Sequence, residues 1–148
     1  METIIRTPVG LIKVVENDGI VSEISETNLS PTPFDKLSEP SRQILEYFEV
    51  RRKEFTFRIA LQGTEFQKKV WNECRKIPFG STVTYGELAA RIGRPKASRA
   101  IGGALNVNNL LFYVPCHRVV ASGSLGGFRL GQYAKQFLLA LERAQITD

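Results

Sequence analysis

The segment LLFYVPCHRVVASG, residues 110–123, holds the residue types best able to do chemistry in this chain. An apolar run leads into Pro115, then Cys116, then His117, the only histidine present. Three chemistries employ a cysteine next to a histidine: metal ligation, redox exchange and nucleophilic attack. A structural zinc site usually needs four Cys or His ligands, and the chain has 2 cysteines and 1 histidine. Redox exchange needs a partner thiol. Only Cys74 is available, and a lone disulfide is unusual inside a cell. Nucleophilic attack needs a thiolate. A free thiol, with a pKa of about 8.5, is only slightly ionised at neutral pH, so it needs a base or a positive field. His117 is the side chain suited to take a proton near pH 7, and Arg118 follows it. Neighbours in a regular strand point to opposite faces. Cys116 and His117 therefore cooperate only through an irregular backbone or a bridging water. By itself the pair is weak evidence, and it reads more simply as a structural cysteine beside a surface histidine.

The apolar run 110–114 reads as a buried strand, and Pro115 interrupts its ladder because it donates no hydrogen bond. Cys116 is expected at that strand's end. Upstream, residues 64–106 carry helix signals. Thr64-x-x-Gln67 and Thr84-x-x-Glu87 are capping boxes. Phe66, Val70, Trp71 and Cys74 share one helical face, which makes Trp71 and Cys74 core residues. Gly93 stops the next helix, and Pro95 is expected at the first position of a third. Two short helices joined by a Gly-containing turn make a helix-turn-helix pattern. On the third helix Lys96, Arg99, Gly103 and Asn106 cluster on one face. Glycine inside a helix costs ~1 kcal/mol against alanine. Adjacent Gly102 and Gly103 therefore call for a close approach, to a nucleic-acid groove or to another helix.

Residues 3–25 alternate in short β-branched runs, broken at Pro8-Val9-Gly10 and Asn17-Asp18-Gly19. Asp-Gly between apolar runs is a hairpin signal, so a small antiparallel sheet is expected. Residues 27–40, rich in Ser, Thr and Pro, read as a loop. Ile44, Leu45 and Phe48 follow at helical spacing. Residues 51–61 read as an extended connection. The expected fold is α+β. A small N-terminal antiparallel sheet domain with a helix, residues 1–57, precedes a mainly helical C-terminal domain, residues 58–148, with a helix-turn-helix and a short active-site strand.

Charge divides the same way. Residues 1–50 carry nine acids and four bases, and residues 51–148 six acids and sixteen bases. A basic C-terminal part suits a polyanionic partner, and it also suits an ordinary solvated basic surface. Apolar runs such as 110–114 are far shorter than the roughly 20 residues that span a bilayer. The start shows no charged segment followed by an apolar one, so the expected location is cytoplasmic, with no membrane partner.

With these residues in view, PCHRVV resembles the active-site motif of the O6-alkylguanine-DNA alkyltransferases, the methylated-DNA–protein-cysteine S-methyltransferase family. The likeness extends over residues 63–142. It includes the FQ..VW, IP.G...TY and RA.G.A elements, and GGFRLGQYAKQFLLALE after the motif. The chain departs from the family's pattern in three ways. Asn109 stands where Pro often follows the asparagine, the loop after the motif is one residue shorter than in some relatives, and Arg129 stands where a small residue can occur.

The resemblance implies a DNA repair protein that transfers the alkyl group of O6-alkylguanine to its own cysteine in one irreversible turnover, and it leaves open whether O4-alkylthymine is a further substrate. It implies Cys116 as nucleophile, His117 as its base through a water, and Glu142 as the carboxylate that orients the histidine. Asn108 falls on the asparagine hinge, with Asn106 a competing position. Arg99 falls on the arginine that replaces the extruded base, and Tyr85 on the tyrosine that helps flipping and contacts the guanine. Gly86, Arg94, Lys96 and Gly103 complete the DNA-binding set, and Phe128, Arg129 and the backbone of Val119 join Tyr85 at the substrate pocket. The implied partner is double-stranded DNA bound through the minor groove, by a monomer that uses neither metal nor diffusible cofactor. A non-catalytic alkyltransferase-like binder lacks the cysteine. A helix-turn-helix regulator leaves PCHR unexplained, and a thiol hydrolase turns over repeatedly.

Overall fold

The structure is a computed structural model and describes residues 1–144. Residues 145–148 of the expected second domain lie outside them. The chain forms two compact units, Met1–Gln62 and Gly63–Asp148. The first extends beyond the boundary expected after residue 57, because the connecting segment does not merely pass between domains. Its residues Arg58–Ile59 form strand β4, which pairs in parallel with β3. The sheet is therefore mixed rather than purely antiparallel, in the order β1 (Glu2–Thr7), β2 (Gly10–Asn17), β3 (Ile20–Glu26), β4.

The turn between β2 and β3 follows from its residues. Asp18 (φ 53°) and Gly19 (φ 76°) both take positive φ, the two-residue geometry whose twist matches the flanking strands. One face of the sheet buries Ile5, Ile12, Val14, Val21 and Ile24. Helix α1 (Glu39–Phe48) packs against β1, burying Ile44, Tyr47 and Phe48. Its Ser38 N-cap accepts from Ser41 N at 3.3 Å. It ends in a Schellman motif: Val50 N–H donates to Tyr47 O (3.1 Å) and Arg51 N–H to Glu46 O (2.9 Å). The left-handed position is held by Val50 at φ 61°, a residue poorly suited to it.

In the second unit, helix α2 (Glu65–Cys74) and helix α3 (Tyr85–Arg91) both begin with the expected capping boxes. Helix α3 ends in the same Schellman hydrogen bonds as α1, here with Gly93 at φ 77°. Helix α4 spans Ser98–Asn106, starting later than expected. Ala97 N–H donates to Arg94 O at 2.9 Å, closing a tight turn that contains Pro95 and Lys96. Pro95 is thus not the first helical residue, and Lys96 is not on the helix face with Arg99. Helix α2 packs on both α3 and α4. Trp71 Nε1–H donates to Ala104 O at 2.9 Å, satisfying a carbonyl in the last turn of α4. Val70, Cys74, Ile77, Leu88 and Ile101 are buried around it.

Strands β5 (Val83–Thr84) and β6 (Val119–Val120) form a short parallel pair, and helix α5 (Gln132–Ala144) closes the unit. Among the described residues no helix is long and apolar enough to cross a membrane.

Candidate active site

The apolar run before Cys116 is not a strand. Tyr113 N–H donates to Leu111 O (2.8 Å) across Phe112, whose φ is 71°. Cys116 N–H donates to Val114 O (2.8 Å) across Pro115, at φ −80° and ψ 65°. These are successive γ-turns, the first of the rarer positive-φ kind. The chain coils, then enters a 3-10 turn at Cys116–Arg118, and only afterwards extends as β6. The extended segment follows the cysteine instead of leading into it. An apolar composition fits a buried strand and a buried coil equally. What selects the coil is the side chain of Asn108, which is 1% exposed. Its Oδ1 accepts from Leu110 N (2.8 Å), and its Nδ2 donates to Val114 O (2.9 Å) and Cys116 Sγ (3.3 Å). Of the two asparagines considered, Asn108 reaches the thiol, and Asn106 is exposed.

The 3-10 turn resolves the problem that strand geometry posed for Cys116 and His117, since both can now face inward. His117 and Glu142 are each 1% exposed, with Nε2 and Oε2 2.6 Å apart. Glu142 is the hub of a larger cluster. Arg118 Nε donates to Oε1 (2.8 Å), Arg118 Nη2 to Oε2 (3.0 Å), and Gly80 N–H to Oε1 (3.1 Å). Arg118 Nη1 donates to Ile77 O at 2.8 Å. Burial opposes ionising Glu142, but the hydrogen bonds and charges of His117 and Arg118 prevail and hold its carboxyl well below the usual carboxylate range. An ionised carboxylate only accepts, so His117 Nε2 carries the proton and Nδ1 the lone pair. Burial keeps the imidazole pKa below its ordinary 6.5 despite Glu142, so the ring is neutral at pH 7.

Cys116 is buried, and burial pushes its thiol pKa up. Asn108, Lys135 and Arg129 pull the other way without cancelling it. Lys135 is fully buried on α5, and its Nζ donates to Val119 O (2.6 Å) and Gly127 O (2.9 Å). Burial lowers its pKa to about 8, against the opposing influence of Cys116. Neither Lys135 nor the structural part of Arg118 was read from the sequence. A signal existed for Lys135: with Leu138, Leu139 and Glu142 it lies at i, i+3, i+4 and i+7, on the buried stripe of the helix.

Cys116 opens onto a cavity of about 260 Å³ lined by Tyr85, Gly102, Leu105, Asn106, Gly127, Phe128 and Arg129. Tyr85 is half-buried, and its hydroxyl donates to Gly127 O at 3.3 Å. Burial raises its pKa. Gly126 sits against this ring at φ 72°, where an added Cβ would lie 2.8 Å from Tyr85 Cε2. Of the expected pocket residues, Tyr85, Phe128 and Arg129 line the cavity. Val119 does not: it is fully buried, and its carbonyl is taken by Lys135.

Arg99, Gly86, Arg94, Lys96 and Gly103 are exposed. Arg94 lies over the Phe66 ring, 5.5 Å from its centroid. A Cβ at Gly103 would meet nothing within 4 Å, and one at Gly102 only Tyr85 at 4.0 Å. Helix packing therefore explains neither glycine. The bare face of α4 adjoins the cavity, since Gly102, Leu105 and Asn106 line it. Cys74 is completely buried on α2 and Trp71 nearly so.

The chain is similar to known proteins. Residues 65–144 match the family model described as 6-O-methylguanine DNA methyltransferase, DNA binding domain. A methylated-DNA–protein-cysteine methyltransferase of Methanosarcina acetivorans is 53% identical over 105 residues, 70% of this chain and 67% of that protein. One from Mycolicibacterium paratuberculosis is 39% identical over 155 residues, covering 94% of this chain and 90% of that one. Among solved structures, that of Mycobacterium tuberculosis OGT in complex with DNA has a TM-score of 0.87 at 33% identity, covering 97% of this chain and 93% of that chain.

Proposed function

The chain belongs to the methylated-DNA–protein-cysteine methyltransferase family, and on that basis we propose that it repairs DNA by moving the alkyl group of O6-alkylguanine onto Cys116, once per molecule. The observation that carries this reading is the Cys116 thiol at the wall of a cavity, on a turn whose next residue is paired at 2.6 Å with a buried carboxylate.

The alkylated base is buried in the duplex and must be extruded, at a cost of a few kcal/mol. In our reading α3, its turn and α4 act as a helix-turn-helix. The glycine face of α4 lies in the minor groove, and Arg99 fills the space the base leaves. Gly86, Arg94 and Lys96 supply further contacts to DNA. The flipped base enters the cavity against Tyr85 and Phe128.

His117, neutral and with its lone pair on Nδ1, takes the thiol proton through a water. Glu142 and Arg118 hold the ring in that tautomer. The thiolate attacks the alkyl carbon: the Sγ–C bond forms, the C–O6 bond breaks, and the electron pair goes to the guanine, which regains a proton with the help of Tyr85. The product is a thioether on Cys116 and an unmodified guanine. A thioether is not cleaved by water, so the protein acts stoichiometrically. The residues present suffice for this displacement with neither metal nor diffusible cofactor. The reading includes a monomer working in the cytoplasm, and O4-alkylthymine as a second substrate.

The test is mass spectrometry of the protein after incubation with a duplex containing O6-methylguanine. The expected result is a gain of one CH2 located on Cys116, equal in amount to the guanine repaired, and absent in Cys116→Ser. Binding without transfer would refute the reading in favour of a damage-binding or regulatory protein. Repeated turnover would point to a thiol hydrolase. The same assay with O4-methylthymine decides the second substrate.

A further inference from the structure

The loop 121–131, between β6 and α5, is fastened at several points. Gln132 Nε2 donates to Gly126 O, and Tyr85 and Lys135 both donate to Gly127 O. A further fastening differs in what it reaches. Arg129 Nη1 donates to Asn108 O at 2.6 Å and lies 3.3 Å from Asn109 Oδ1. Asn108 is the residue whose Nδ2 donates to Cys116 Sγ. Arg129 is also one of the cavity-lining residues, so a single guanidinium joins the cavity wall to the turn that orients the thiol.

We propose that Arg129 is a positioning residue that latches the loop to the Asn108–Asn109 turn and, through Asn108, fixes the Cys116 thiol. This rests on Cys116 being the nucleophile. The latch has two parts with separable effects. The contacts to Asn108 O and Asn109 Oδ1 hold the loop as a cavity wall, which governs how tightly a base is seated. The charge acts on the thiol itself: Arg129 is among the groups that favour the thiolate. Cys116 is also faced by Lys135 from α5, Tyr85 from α3 and Cys74 from α2, and is followed by His117 in its own turn. A charged hydrogen bond in a half-buried setting is worth more than a neutral one, and Asn109 serves as the second acceptor of the same nitrogen.

The test uses Arg129→Ala, Arg129→Lys, Asn109→Ala and the double variant Arg129→Ala/Asn109→Ala, with two readouts. The first is the half-saturating concentration of free O6-benzylguanine in single-turnover transfer. The second is the pH midpoint of Cys116 alkylation by iodoacetamide, followed on the Cys116 peptide. Arg129→Ala should raise the half-saturating concentration about tenfold and move the midpoint upward. Arg129→Lys should restore the midpoint, because the charge remains, but not the seating. Asn109→Ala should weaken seating less and leave the midpoint in place, and the double variant should match Arg129→Ala alone. Additive effects in the double variant would overturn the latch. So would an Arg129→Ala protein that only melts earlier while both readouts stay at wild-type values. If the wild type reacts with neither O6-benzylguanine nor the O6-methylguanine duplex, the alkyl-transfer reading fails. The iodoacetamide midpoint then decides the electrostatic part of the proposal: a shift in Arg129→Ala upholds it and no shift refutes it.

Discussion

Replacing Glu142 by Gln removes a charge with almost no change of shape, so its consequences come from the hydrogen bonds around it. The carboxylate accepts from His117 Nε2, from Arg118 Nε and Nη2, and from Gly80 N. An amide has one oxygen. If it replaces Oε1, it keeps Arg118 Nε and Gly80 N. The amide NH2 then faces Arg118 Nη2, a donor against a donor, and His117 Nε2. The imidazole can relieve the second conflict by moving its proton to Nδ1. If the oxygen replaces Oε2, both Arg118 Nε and Gly80 N meet donors, and neither can adapt. The first orientation is preferred, and it takes the lone pair away from Nδ1. The substitution therefore acts on stability and on rate. Arg118, 7% exposed, loses its counter-charge, and breaking a buried pair from one side costs about 3–5 kcal/mol. That lowers the melting temperature by at least ~10 °C. The base is lost through the wrong tautomer, and removal of general-base assistance slows transfer by about 10²–10⁴. The assay is single-turnover transfer from an O6-methylguanine duplex at a temperature where circular dichroism shows the variant folded. A folded Glu142→Gln protein that transfers at the wild-type rate would refute the proton relay. An unchanged melting temperature would refute the account of the cluster.

Other outcomes rest on the same geometry. Burial holds the folded His117 pKa below 6.5, so below that pH the unfolded chain binds more protons. Stability should fall as pH drops through and below 6.5, and urea titrations of His117→Asn should lack that component; an identical slope would remove His117 as its source. Gly126→Ala puts a Cβ 2.8 Å from Tyr85 and 3.1 Å from Ala121 N at φ 72°. It should destabilise by about 1–3 kcal/mol and weaken O6-benzylguanine seating, measured by denaturation and single-turnover kinetics. Arg99→Ala should slow repair of a duplex more than reaction with free O6-benzylguanine; equal slowing would deny it a part in flipping. Val50→Gly, at the left-handed cap of α1, should stabilise by about 1 kcal/mol in urea denaturation, and a loss would show that the Val50 side chain contributes more than its backbone costs.

The features legible in the sequence are those decided within a few residues. Asp18-Gly19 dictates its own turn, Thr64 and Thr84 meet their capping partners three residues on, and Gly93 ends α3, because in each case the interacting groups are chain neighbours. Local chemistry misled where a local preference met a distant constraint. The run 110–114 has the composition of a strand, but the Asn108 side chain takes the backbone groups a ladder would use. Pro95 suits a helix start, but the Arg94–Ala97 turn claims it first.

By itself, the sequence determined the α+β character, the helix starts, the likeness to the alkyltransferases and the candidacy of Cys116 and His117. Only the tertiary structure decided that Asn108 and not Asn106 meets the thiol, that Val119 lies outside the cavity, and that Arg118 and Lys135 are buried beside the reacting group. These contacts join residues far apart in the chain, such as Arg118 with Glu142 and Ile77. A charge can remain buried only where several elements converge to satisfy it, and no pattern along a single element specifies that convergence.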